Sequence, residues 1–301
     1  MTTEPAPHEA PAHHLDVVVA EHRDELVAVA YRLLGSVTDA EDAVQEALVR
    51  LQRHGLDGLD NPGGWLSRTT TRVCLDRLRS AQVRRERYVG PWLPEPLATD
   101  GMDTEATVEL AESVSMAFLV VLESLGPAER VVFVLHEVFG YPHRDIAPML
   151  DRTEDACRQL LTRARRQVDQ RRPRFDADRS RRETAADRFL AACGSGQLDQ
   201  LLEVLAPDVV LTADSDGKVS AARHPVVGAD PVARFLLGVL RKADASLQLE
   251  PVHLNATPGV IVRHPDGAPH TALSLHAADG RVAAVYVVRN PDKLRHLGPS
   301  R

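Results

Sequence analysis

Arginine is concentrated in two stretches of this 301-residue chain. Arg68, Arg72, Arg77, Arg79, Arg84, Arg85 and Arg87 fall within residues 62–90, set against only Asp76 and Glu86, and eleven more arginines fall within residues 152–182. A guanidinium presents five donors in a planar fork, so such clusters suit bidentate contact with phosphate oxygens and base edges. To act together the arginines need a helix that keeps them on one face. Arg68, Arg72, Asp76 and Arg79 have that spacing in the first stretch. In the second, Ala156, Leu160 and Ala164 packed inward leave Arg158, Gln159, Thr162, Arg163 and Arg166 outward. The N-terminal half of such a helix reaches base edges in the major groove, and the arginines beyond it meet phosphate. Either helix alone reads equally as a solvated basic face. Their pairing, each after an acidic-faced helix, points to two DNA-contacting modules.

The formal net charge of -7 conceals this arrangement. Residues 1–61 carry 12 acids against 4 arginines, and residues 91–129 carry 8 acids and no base. The chain is thus two basic islands in an acidic body. Only Lys218, Lys242 and Lys293 are lysines, a bias that a GC-rich genome explains as well as selection for phosphate contacts does. Cys74, Cys157 and Cys193 are odd in number and far apart, which encodes neither a disulfide framework nor a zinc site and fits a reducing cytoplasm. No apolar run approaches the roughly 20 residues of a membrane span, and residues 1–14 read as a disordered tail.

The elements that would carry these residues are helical as far as about residue 171. Leu26, Val29, Ala30 and Leu33 recur at helical spacing, as do Val44, Ala47, Leu48 and Leu51, with Thr38 and Glu41 as a capping box for the second helix. Asp39, Asp42, Gln45 and Glu46 lie on its opposite face. Asn61 followed by Pro62 opens a third helix running into the first basic island. Three prolines between Tyr88 and Leu97 predict an extended connector. Helices resume at residues 116–125 and after Gly126-Pro127. A short segment with Ile146 and Leu150, a turn at Asp151-Arg152 and a helix opened by Thr153 predict a helix-turn-helix, in which Pro148 loosens the first helix. Beyond residue 182 the pattern is α+β: helices within 189–206 and 231–241, then strands near 209–211, 247–249, 260–262, 272–275 and 282–288, consistent with a curved antiparallel sheet around helices.

Six motifs carry a resemblance. They are Ala30 to Leu48, Gly64-Trp65-Leu66, Thr71 to Arg79, Ala156 to Arg165, and the pair Trp92-Leu-Pro-Glu-Pro96 and Asn290-Pro-Asp-Lys-Leu294. Together they resemble an extracytoplasmic-function (ECF) RNA polymerase sigma factor, of the subgroup with a C-terminal SnoaL-like (NTF2-like) domain. The resemblance implies a multidomain fold: two all-α sigma domains, region 2 as a helical bundle and region 4 as a helix-turn-helix, plus a C-terminal α+β cone. The expected boundaries are a tail over 1–14, region 2 over 15–90, an acidic proline-containing linker over 91–115, region 4 over 116–174, a linker over 175–182 and the SnoaL-like domain over 183–297.

Roles follow the same resemblance. Asp39, Asp42, Gln45 and Glu46 correspond to the surface that docks on the polymerase β′ clamp helices, and region 4 to the part that meets the β flap. Arg68, Arg72, Arg77, Arg79, Arg84 and Arg85 correspond to the helix that melts and reads the downstream promoter element. Arg72 stands where the wider family has Asn and where this subgroup tends to have Arg. Arg158, Gln159, Thr162, Arg163 and Arg166 correspond to the reader of the upstream element as duplex. In the C-terminal domain, Asp214, Gly217 and Lys218 of a Gly-containing loop, with Asn290, Pro291, Asp292, Lys293 and Leu294, are the expected regulatory residues; Ser215 and Asp216 replace the subgroup's glycines.

The implied function is promoter-specific transcription initiation with core polymerase and promoter DNA as partners, regulated in cis by the fused domain. Two alternatives stay open: a regulator that responds to a small-molecule ligand in the C-terminal cone, and a SnoaL-like enzyme tethered to DNA-binding helices. Asp214, Asp216, His224, His253 and His276 are the acid–base candidates for the latter, but they form no convincing constellation. No catalytic residue, cofactor, metal ligand set or membrane contact is expected.

Overall fold

A computed structural model describes residues 10–85, 87–99, 112–171 and 178–298, with side chains described for all of these except 10–15 and 82–86. The side chains of Arg84 and Arg85 therefore lie outside the described residues. The chain divides into two compact units, residues 1–81 with 126–165, and residues 82–125 with 166–301.

In the first unit, α1 (Ala10–Leu34), α2 (Val37–His54) and α3 (Pro62–Arg85) form the bundle. α1 begins five residues before the expected boundary, since Pro11 sits in a first turn that needs no amide from it. Gly35, at φ +67°, ends α1 and leaves Ser36 extended. The Ser36 hydroxyl then accepts the Asp39 amide at 3.0 Å, so Ser36 caps α2 in place of the expected Thr38–Glu41 box. α2 buries Ala40, Ala43, Val44, Ala47, Leu48 and Leu51. Asn61 caps α3 as expected, accepting the Gly64 amide at 2.7 Å.

The same unit continues with α5 (Pro127–Phe133), a π-helical turn (Val134–Val138), α6 (His143–Ile146), a 3-10 turn (Ala147–Met149) and α7 (Glu154–Arg171). Pro148 has the expected effect: α6 lasts four residues and gives way to the 3-10 turn that contains it. Asp151 turns the chain at φ +51°, and Thr153 caps α7 through the Ala156 amide. Arg130, fully buried, donates twice to the Arg32 carbonyl at 3.3 and 3.2 Å, placing a cation on the C-terminal turn of α1. Burial pushes the Arg130 guanidinium down to about 9.

The second unit holds α4 (Met116–Leu122), α8 (Arg179–Ser195), α9 (Leu198–Val204), α10 (Ala229–Leu240) and α11 (Pro291–Leu294) around one sheet. Its strands are β1 (Leu205–Asp214), β2 (Val226–Val227), β3 (Gln248–Leu254), β4 (Thr257–Arg263), β5 (Pro269–Ala278) and β6 (Arg281–Val288), in the order β2-β1-β6-β5-β4-β3. The sheet is not wholly antiparallel as expected: β1 and β6 run parallel. The β3–β6 meander follows a helical crossover through α10, which brings its last strand back beside β1 in the same direction. α8 starts at Arg179, so residues 179–182 of the expected linker are helical, capped by Asp178.

Two apolar clusters organise this unit. One, with Phe189, Leu201, Leu205, Leu211, Leu236 and Val285, lies between α8–α10 and the sheet. The other joins Ile261, Ala272, Val288 and Leu294 to Leu93 and Met116. The connector is extended over residues 91–99, as three prolines require, but residues 93–96 are buried. It is therefore part of this unit's core, which local sequence pattern does not reveal.

Candidate nucleic-acid interface and linker-binding box

On α3, Arg68, Arg72 and Arg79 are exposed while Leu66, Val73, Cys74 and Leu78 are buried. The face expected to meet DNA thus exists. Arg72 is occupied: its guanidinium donates to the Pro148 carbonyl at 3.0 Å and to Asp151 at 2.5 Å, both in the helix-turn-helix. Arg77, also expected on the DNA-contacting helix, lies off that stripe. It turns to the acidic face of α2, with its Nη1 2.9 Å from the Asp39 carbonyl and its guanidinium within 3.5–3.9 Å of the Asp39, Asp42 and Glu46 carboxylates. Arg77 lies one residue off the Arg72–Asp76–Arg79 row, which turns it toward α2. Gln45, Asp42 and the remaining acids stay at the surface.

Arg158, Gln159, Thr162, Arg163 and Arg166 are all exposed on α7, over buried Cys157, Leu160, Leu161 and Ala164. Arg158 pairs along its own helix with Glu154 and Asp155, and Arg163 pairs with Glu129 of α5 at 3.2 Å. These are exchangeable surface pairs, so phosphate can replace the carboxylates.

The most constrained polar cluster lies in the second unit. Asp214, fully buried at the end of β1, accepts the Tyr88 hydroxyl at 2.5 Å, the Leu93 amide at 2.7 Å and Lys293 Nζ at 2.7 Å. Lys293 Nζ also donates to the Leu93 carbonyl at 2.5 Å and stands 3.9 Å from the Trp92 ring centroid, a cation–π geometry. Asn290 Nδ2 reaches the Tyr88 hydroxyl at 2.9 Å, and the Asn290 and Arg289 amides donate to the Asp214 carbonyl. Burial, and then the hydrogen bond to Asp214, raises the Tyr88 phenol above its ordinary range.

The other expected regulatory residues complete this box. Asp216 and Gly217 take left-handed φ of +50° and +67°, and a Cβ at Gly217 would lie 3.1 Å from Val89 Cγ1, so glycine admits the linker there. Lys218 pairs with Asp292. Asn290 caps α11, Pro291 is its first residue, and Leu294 is buried in the second cluster. Of the acid–base candidates, Asp214 and Asp216 belong to this box, whereas His224 is exposed and His253 faces Glu183 at 3.7 Å. Tyr88, Trp92 and Leu93 were absent from the expected site residues. Their sequence signal was two aromatics flanking a Gly-Pro turn, which marks a connector before it marks a docking segment.

Comparison with known proteins accounts for both units. Residues 18–84 match the Sigma-70 region 2 family and residues 115–168 match Sigma-70 region 4. The chain is 41% identical over 285 residues to the ECF RNA polymerase sigma factor SigJ of Mycobacterium tuberculosis, covering 90% of each chain. The protein is an ECF RNA polymerase sigma factor. This sigma factor is also 37% identical over 279 residues to the probable ECF sigma factor SigI of Mycobacterium tuberculosis, covering 92% of its own chain and 93% of SigI. The crystal structure of Mycobacterium tuberculosis SigJ matches it with a TM-score of 0.74 and 36% identity, covering 94% of this chain and 98% of that one. The sigma factor therefore has sigma regions 2 and 4 and a C-terminal helix-and-sheet domain, and it acts in transcription initiation with core RNA polymerase and promoter DNA. Among the described residues, no helix is long and apolar enough to cross a membrane.

Proposed function

We propose that the C-terminal domain of this sigma factor controls promoter recognition in cis by holding the linker between regions 2 and 4. The observation that carries this reading is the Asp214–Lys293 box. The three contacts at the Asp214 carboxylate include the Leu93 amide of the linker and the hydroxyl of Tyr88 just before it, and Lys293 returns a bond to the Leu93 carbonyl. A linker so held limits the separation of the two promoter-reading helices, and release extends their reach at up to about 3.3–3.6 Å per residue.

Within this reading, Arg68, Arg72, Arg79, Arg84 and Arg85 engage the downstream element. Arg158, Gln159 and Thr162 read the upstream element, and Arg163 and Arg166 contact phosphate. Asp39, Asp42, Gln45 and Glu46 dock on the β′ clamp helices and region 4 meets the β flap, all in the cytoplasm. Arg77 serves the acidic docking face instead, where it offsets the repulsion among three carboxylates. Run-off transcription with core polymerase tests the proposal by comparing the full chain with chains ending after Arg182 and before Asn290. The three are expected to differ in transcript yield; equal yields would remove cis control.

A further inference from the structure

A second hold on the linker lies at the tip of the β3–β4 hairpin, outside the motifs that form the box. Asn255 and Ala256 make its two-residue turn, at φ +55° and +56°. Such turns favour Asn-Gly. Ala256 carries a side chain where glycine is preferred, a backbone strain that persists only where the surroundings over-determine it.

Here the linker over-determines it. The Asn255 amide donates to the Leu97 carbonyl at 2.7 Å, Asn255 Oδ1 accepts the Leu97 amide at 3.0 Å, and Nδ2 donates to the Val114 carbonyl at 3.0 Å. Ala98 bridges Leu254, the Thr99 amide donates to the His253 carbonyl, and the Ala256 amide donates to Thr99 Oγ1 at 3.1 Å. A hairpin tip is ordinarily solvated, yet Asn255 is 0% exposed. Its amide joins two points of the linker, one on each side of residues 100–111. Val114 leads directly to Ser115, whose hydroxyl caps α4 through the Phe118 amide, and to Met116 in the second cluster. α4 is the beginning of region 4.

We infer that Asn255 is a latch on the start of region 4, separable from the box that holds the Tyr88–Leu93 end of the linker. The inference rests on the reading that the C-terminal domain restrains the sigma regions in cis. An amide is required because one atom must accept from Leu97 and the other donate to Val114; a carboxylate would set an acceptor against the Val114 carbonyl.

Hydrogen exchange on the full-length protein tests it. Asn255→Gly keeps the turn geometry and removes both side-chain bonds, so amides over 114–122 should exchange about fivefold faster while 88–94 stay protected. Asn255→Asp should raise exchange in the same segment further. Asp214→Asn should give the reverse pattern, opening 88–94. Unchanged exchange over 114–122 in Asn255→Gly, or equal opening of both segments, overturns the latch. Should Asn255→Gly loosen the whole hairpin, Thr99→Val on the linker is read by the same criterion. Run-off transcription on the same variants separates the two ideas. Selective exchange with unaltered transcripts would remove cis control and keep the latch contact, whereas altered transcripts in Asp214→Asn without selective exchange would keep cis control and remove the latch.

Discussion

Ion pairs in the two units have similar lengths and opposite consequences. Arg72 and Asp151 in the first unit lie 2.5 Å apart with side chains 45% and 80% exposed. Lys293 and Asp214 in the second lie 2.7 Å apart with side chains 9% and 0% exposed. An exposed pair contributes about 0–1 kcal/mol, because water and salt solvate either charge once it is released. A desolvated pair is different: removing one partner strands a buried charge and costs about 3–5 kcal/mol. Burial, then, separates a contact that can be exchanged for phosphate from one that fastens a linker.

The sharpest way to break this comparison is Lys293→Met. It should destabilise the second unit by about 3–5 kcal/mol, followed by urea denaturation with Trp92 fluorescence. A loss below about 1 kcal/mol would put the buried pair on a par with the surface ones. Leu93→Ala comes next, at about 2–4 kcal/mol from the same titration, since it empties a site in the second apolar cluster. The surface pairs should affect specificity more than stability. Arg158→Ala is expected to alter base preference at one position of the upstream element by about tenfold in binding competitions. Arg163→Ala should weaken all sequences and lower the salt slope by about 1.

A smaller effect is expected at Arg77→Ala, below about 1 kcal/mol and disappearing in high salt, measured as melting temperature at two ionic strengths. The smallest concerns His143, which stacks on His136 at 4.4 Å. Burial, then the neighbouring His136 and Arg158, lowers its pKa below the ordinary 6.5. The unfolded chain therefore binds the proton first, so this contribution to stability is complete above about pH 6.5 and is lost as pH falls below it. Melting curves between pH 7.5 and 5.5 should be flatter for His143→Gln than for the natural chain.

Much of the layout of the basic helices was legible because its signals are local. Helical spacing placed Arg158, Gln159, Thr162, Arg163 and Arg166 on one exposed face, and Pro148 announced the broken first helix of the helix-turn-helix. The carboxylates beside Arg77 were not legible, because charge alone does not say which neighbour a side chain meets. The linker was read as extended, correctly, but its burial was invisible. Prolines report backbone conformation, and nothing in Trp92-Leu-Pro-Glu-Pro96 names the strand or helix it packs against.

The parallel pairing of β1 with β6 and the role of Asn255 were hidden for the same reason. Each depends on segments far apart in the chain: Asn255 meets Leu97 and Val114, and Asp214 meets Tyr88, Leu93 and Lys293.

The amino-acid sequence by itself determined the helices, the two basic faces, the acidic face of α2 and the order of the regions, because periodicity, caps and proline act within a few residues. Tertiary structure alone decided that the linker belongs to the C-terminal domain's core, and that Lys293, one of three lysines in the chain, is a buried fastening. The physical reason is desolvation. The strength of a charge pair or an amide depends on how much water is excluded around it, and that is set by segments brought together only when the chain has folded.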